Sequence, residues 1–184
     1  DFLPRGTFVT EGVWEIWLSA EKIVVGAYEM WMPSESALNR GTGFLFPTEN
    51  LTFTIPSTAE RVITVGAYDA LTGTYAPFSG RGELLSRGAA KPDLVAPGVG
   101  IVTTGLNGGT TRVSGTSFAT PFVTGSAALL MEWGIVKGND AFLYGEKVKA
   151  YLRRGAQALP GFAEYPNPVM GYGALCLVQS FPKK

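Results

Sequence analysis

Gly115-Thr116-Ser117-Phe118-Ala119-Thr120-Pro121 is the stretch from which the rest of this chain is best read. Small residues and hydroxyls crowd it, and an apolar run follows: Phe122, Val123, Ala127, Ala128, Leu129, Leu130 and Met131. This composition predicts a helix from about Ser117 to Trp133, apolar or small nearly all round, which marks a core helix rather than a surface one. Pro121 is expected within the first turn or so, where backbone N–H groups have no helical partner. Ser117 then stands at the helix N-terminus, where orphan N–H groups and the positive end of the macrodipole favour negative charge. Two readings follow. Thr116 or Ser117 caps the helix, as such residues commonly do, and the tripeptide Gly-Thr-Ser alone favours that. Or Ser117 is a nucleophile whose developing oxyanion its own backbone N–H helps to hold. The second reading needs a base, because a serine hydroxyl is a weak nucleophile until its proton is taken.

Outward from this segment the chain reads as short strands. Upstream lie Ile101-Val102-Thr103-Thr104, then Pro92-Asp93-Leu94-Val95-Ala96-Pro97-Gly98, pinned between prolines, then Val62-Ile63-Thr64-Val65-Gly66-Ala67. The last is a β-branched run of the kind found in buried, often parallel, strands. Residues 1–50 are expected to form strands alone. Trp14, Ile16 and Leu18 fall on one face by period two, Ile23–Met32 is apolar on both faces around Gly26, and Leu51–Ile55 alternates cleanly. Turn clusters at Ser34–Gly43 and Pro47–Asn50 separate them, and no helix intervenes, which suggests part of a β-sandwich. Trp14, Trp17 and Trp31 are expected to be core, with a sugar-stacking platform as the alternative. Downstream, Gly145–Arg154 predicts a second helix burying Val148, Tyr151 and Leu152, with Gly155 as its stop. Gly171-Tyr172-Gly173-Ala174-Leu175 predicts a turn into a short last helix ending near Ser180.

Composition excludes several classes. Hydrophobic residues make up 46% of the 184 and charged ones 16%, so the chain is globular, not disordered. Its 24 glycines and 12 prolines argue for many tight turns and against a helical bundle. Fifteen basic and 15 acidic residues cancel, so the basic footprint of a nucleic-acid binder is missing. Arg153-Arg154 and Lys183-Lys184 are expected to be solvated surface. Cys176 is the single cysteine, which precludes an internal disulfide or zinc cluster, and it is expected to be a small buried residue between Leu175 and Leu177. No apolar run reaches the ~18 residues of a membrane span. The chain opens at Asp1 without an initiator methionine or a signal and is expected to be an excised or processed piece.

The seven-residue pattern, continued by Val123-Thr124-Gly125-Ser126-Ala127-Ala128, resembles the nucleophile segment of the subtilisin-like serine proteases. Pro56-Ser57-Thr58-Ala59 running into Val62–Ala67, Phe78-Ser79-Gly80-Arg81-Gly82, Lys91–Gly98 and Gly171–Leu175 also resemble words of that family, in the right order over roughly residues 51–180. The opening residues, with Tyr28-Glu29-Met30-Trp31-Met32-Pro33, look like the last strands of the jelly-roll inserted in the clostridial germination proteases of the same superfamily. The resemblance implies an α/β chain. Residues 51–184 would be the C-terminal half of a three-layer, subtilisin-like peptidase domain with a mainly parallel sheet, and residues 1–50 the end of a β jelly-roll.

By the same resemblance Ser117 is the catalytic nucleophile, its backbone N–H is one oxyanion donor, and the substrate is a polypeptide. The family's aspartate and histidine precede its serine; here they are expected upstream of Asp1, since the chain contains no histidine. The side-chain oxyanion donor is also expected upstream, because Asn39, Asn50, Asn107, Asn139 and Asn167 have the wrong context. Asp69 and Asp93 are expected in surface pairing or capping. Phe122 stands where better-known members often have a non-catalytic histidine. No cofactor is expected; the family resemblance allows calcium, but no dense carboxylate cluster names its ligands. The chain alone is expected to be inactive and to pair with the missing half or with itself, in a bacterial, spore-associated setting implied by the resemblance. A non-catalytic subtilisin-like regulator and a glycan-binding β module are the alternatives.

Overall fold

The computed structural model describes residues 10–26, 28–33, 37–82 and 91–182. Lys183-Lys184 and Ser34–Ser36 of the expected first turn cluster lie outside these residues. The chain divides into two compact units, Asp1–Leu45 and Phe46–Lys184.

In the first unit the described residues form no strand. The expected apolar face is open to solvent instead: Trp14, Ile16 and Leu18 are each more than 60% exposed, and Trp17 and Trp31 are exposed too. This corrects both the strand and the core expectation. A strand needs a neighbour to take its N–H and C=O groups, and alternation alone supplies none. Leu51–Ile55 is likewise not a strand; its attachment is the Thr52 N–H to the Arg81 carbonyl (2.9 Å) and the Arg81 N–H to Thr52 Oγ1 (2.8 Å).

The second unit orders its elements as β1 (Val65–Asp69), β2 (Thr74–Tyr75), β3 (Leu94–Pro97), β4 (Ile101–Thr104), β5 (Thr110–Val113), α1 (Thr116–Met131), α2 (Gly145–Gly155) and α3 (Leu177–Ser180), with a π-helical turn Glu132–Val136 continuing α1. A three-stranded sheet runs β2-β1-β3, and β4 and β5 form a separate hairpin. β1 and β3 are parallel, with Val65 opposite Leu94 and Tyr68 opposite Pro97, whereas β2 returns antiparallel on β1. Period two sorts β3 between two layers. Leu94 and Ala96 join Ala67, Ala119, Val123, Leu130, Val148 and Leu152 on the helical side. Val95 packs with Met170 and Ala174 on the other. Such a strand, buried on both faces, is what a continuous apolar run dictates. The result is an α/β unit layered as helices, sheet and the 156–175 segment.

α1 departs from all-round burial. Ala119, Val123, Ser126 and Leu130 are buried at helical spacing, while Phe122, Leu129 and Ile135 are roughly half exposed. The sheet covers one stripe only, so the remaining apolar positions have no layer above them. Thr116–Val136 is long and apolar enough to cross a bilayer by length and composition alone, with mean hydropathy 1.2; its buried stripe, however, belongs to the core against the sheet.

Asp93 also departs from expectation. It is wholly buried, and Lys91 Nζ (3.5 Å), Lys149 Nζ (3.0 Å) and the Arg153 guanidinium surround its carboxylate, with the Thr64 N–H donating to Oδ2 at 2.6 Å. Arg153 is therefore an interior partner rather than solvated surface, and it lies over the Tyr172 ring. Lys91 and Lys149 also donate to the carbonyl of Val62, tying residues 59–64 to α2. Burial pulls the Lys91 ammonium below its ordinary value, and Asp93 partly restores it. Asp69 does serve a turn, accepting from the Leu71 N–H at 2.9 Å. Cys176 is half-buried at the head of α3, where its carbonyl accepts from Ser180.

Candidate active site

A relay of backbone bonds positions Ser117. The Gly98 N–H donates to the Tyr68 carbonyl at 3.0 Å, and the Gly115 N–H donates to the Gly98 carbonyl at 2.8 Å. The Gly115 carbonyl then accepts from Phe118 (3.1 Å) and Ala119 (3.3 Å) and starts α1. The helix thus begins at the carboxyl ends of the parallel strands β1 and β3, where open α/β sheets place their ligand sites. Two glycines permit this. Gly115 has φ 152°, a conformation L side chains rarely adopt. A Cβ on Gly98 would lie 2.6 Å from the Ala67 Cβ and 3.1 Å from the Gly115 carbonyl oxygen, so any larger residue pushes the helix start off the sheet.

The capping reading fails here. The N-cap is Gly115, and no side chain caps the helix. Ser117 is exposed in the first turn of α1, and its N–H precedes the first possible helical acceptor. Pro121 is the sixth residue of α1, beyond the expected first turn. Having no N–H, it also leaves the Ser117 carbonyl without its helical donor. The serine therefore carries an exposed hydroxyl and an inward-free N–H on one rigid turn. An anion forming at that hydroxyl would meet the N–H and the helix dipole.

Among the described residues no side chain is hydrogen-bonded to Ser117 as a base. Asp93 lies at the amino end of β3, opposite the end that carries Ser117, and is engaged with cations. Asp69 holds its own turn. The side chains of Asn139 and Asn167 are engaged locally, with the Trp133 and Glu164 carbonyls respectively. Among the described residues no group of three His, Cys, Asp or Glu could hold a metal ion. Depressions of ≈ 330 Å³ at Glu60, Arg61, Glu146, Lys149 and Arg153 and of ≈ 420 Å³ at Glu49, Tyr75, Phe78 and Arg81 both lie away from Ser117.

The sequence reading passed over two features. Gly98 was read as part of a strand, though its role as a spacer between sheet and helix needs the three-dimensional approach of Ala67. Arg112 was not singled out, yet the sequence held a signal: it is the sole charged residue between Asp93 and Glu132, in the stretch that builds the site.

A parallel pair of strands whose carboxyl ends carry a serine at the head of a core helix defines an α/β serine-nucleophile site. The Subtilase family model matches residues 36–173, and the chain belongs to that family. The structure is similar to that of the Clostridium perfringens CspB protease, with TM-score 0.74 and 48% identity, covering 78% of this chain and 30% of that one. Serine protease AprX of Bacillus subtilis is 32% identical over 154 residues, 73% of this chain and 33% of AprX. Proteinase R of Parengyodontium album is 38% identical over 89 residues, 48% of this chain and 21% of that protein. The chain thus spans about a third or less of the length of these relatives.

Proposed function

We propose that this chain is the nucleophile-bearing part of a subtilisin-like serine endopeptidase. The observation that carries the reading is the uncapped, exposed Ser117 in the first turn of a helix started by Gly115 at the carboxyl edge of the parallel strands. Its Oγ attacks the carbonyl carbon of a peptide bond while a base takes its proton, and its N–H donates to the resulting oxyanion. Collapse of that intermediate breaks the C–N bond as the protonated base gives its proton to the leaving amine, and water then hydrolyses the acyl-enzyme. A single oxyanion donor is worth about 3 kcal/mol, a figure that comes from the side-chain asparagine donor of subtilisin. With no histidine in the chain, the imidazole comes from outside these 184 residues. The same holds for the side-chain oxyanion donor. The 48% identity to a clostridial protease supports the germination-protease type and a spore-associated setting.

A fluorophosphonate probe tests this. Full-length protein should label at Ser117, Ser117→Ala should abolish labelling, and the isolated chain should react only slowly. Fast labelling of the isolated chain would sink the idea that its base lies elsewhere. A full-length protein inert to the probe would favour a non-catalytic regulator. The exposed Trp14, Trp17 and Trp31 favour a second reading, a glycan platform on the first unit; tryptophan fluorescence unmoved by oligosaccharides would dispose of it.

A further inference from the structure

We propose that Arg112 is a specificity-determining residue, selecting peptide substrates with an acidic side chain within a few residues of the bond cleaved. This rests on the endopeptidase reading above. The segment from β3 through α1 that builds the site is uncharged except for Arg112. That guanidinium is exposed and forms no ion pair among the described residues. Its hydrogen bond is from Nη1 to the Gly100 carbonyl at 3.2 Å. A guanidinium has five N–H donors in a planar fork, so most of its capacity remains for a carboxylate.

Its placement puts it beside the reaction. Arg112 pairs with Val102 across the β4–β5 hairpin, and β5 runs through Ser114 and Gly115 straight into the Ser117 turn. The Gly100 N–H donates to Ser114 Oγ at 2.9 Å, and Gly98, two residues before Gly100, accepts from Gly115. The cation is thus held on the hairpin that leads directly into the Ser117 turn, five residues before the nucleophile. An extended peptide advances about 3.3 Å per residue, so a substrate laid over Ser117 and along this hairpin would reach Arg112 within a few residues of the attacked carbonyl. An isolated cation in an otherwise neutral surface attracts a substrate carboxylate without competition from a protein one.

The alternative is that Arg112 only braces the hairpin through Gly100, and the two roles separate experimentally. Full-length protease would be assayed on peptides with Asp, Glu, Gln or Lys at each position around the cleaved bond. At one position the wild type should favour the acidic residue by roughly five-fold in kcat/KM, as expected for an exposed ion pair, and added salt should shrink the ratio. Arg112→Gln should bring the ratio to one, with the loss falling on the acidic peptides, and Arg112→Glu should shift preference to Lys. An acidic preference that is unchanged in Arg112→Gln overturns the proposal. So does an equal loss on every peptide accompanied by a lower melting temperature, the mark of a brace. Activity without any acidic preference overturns this inference alone; a full-length protein that cleaves no peptide overturns the endopeptidase reading with it.

Discussion

Ser117 and Asp93 show how differently two polar side chains are settled in this chain. Ser117 stays exposed because Gly115, not a hydroxyl, begins the helix, leaving the serine side chain with no structural task there. Asp93 is fully buried because three cations and a backbone N–H converge on it. A carboxylate alone among buried cations is hard to replace. Asp93→Asn should cost about 3–5 kcal/mol, since it leaves Lys91, Lys149 and Arg153 without a counter-charge. Urea unfolding followed by circular dichroism would measure this, and a loss below about 1 kcal/mol, the size of an exposed pair, would refute a stabilising hub. The motif residues around Ser117 were legible in the sequence, because the local pattern carries the backbone geometry. Asp93 was misread, because its partners lie up to 60 residues away and only folding assembles them.

At the scale of elements, the link between the end of the α1 extension and α2 is electrostatic. Lys147 Nζ donates to Asp140 Oδ1 at 2.6 Å, and the Tyr151 hydroxyl donates to Oδ2 at 2.9 Å. The Lys147 bond, more than any other contact, holds the Asp140 carboxyl below its ordinary value of 3.8. A carboxyl whose folded pKa is depressed favours the folded chain at pH above its unfolded value, and the contribution disappears as pH falls through the folded one. Asp140→Asn should therefore lower the melting temperature at neutral pH and narrow the gap from wild type as pH drops below about 4, the unfolded range. A gap that stays constant as the pH falls well below that range would contradict the assignment. β1, β3 and β4 were legible as elements because β-branched runs bounded by proline and glycine are local signals, whereas the short β2 and β5 were not. Residues 13–18 and 51–55 alternate just as well yet form no strand, since pairing requires a second chain segment in place.

For the whole molecule, the decisive quantity is apolar surface. Phe122, Leu129, Met131 and Ile135 on and after α1 remain open, as do Trp14, Trp17, Val24 and Phe46. Surfaces of this kind mark contacts with further protein. We expect the isolated chain to self-associate, eluting ahead of its monomer position on size exclusion, and to become better behaved when the remainder of the peptidase domain is supplied. A clean monomer at micromolar concentration would refute this. What the sequence by itself determined was the family, the order of β1, β3, β4 and the helices of the second unit, and the place of Ser117 at the head of α1, because these rest on local backbone preferences and a dense motif. Only the tertiary structure decided that Gly98 spaces the helix from the sheet, that Asp93 is a buried hub, that Arg112 is bonded to Gly100 with no ion pair among the described residues, and that α1 is covered on one side. Each of these depends on which distant segments come together, and no period along the chain encodes that.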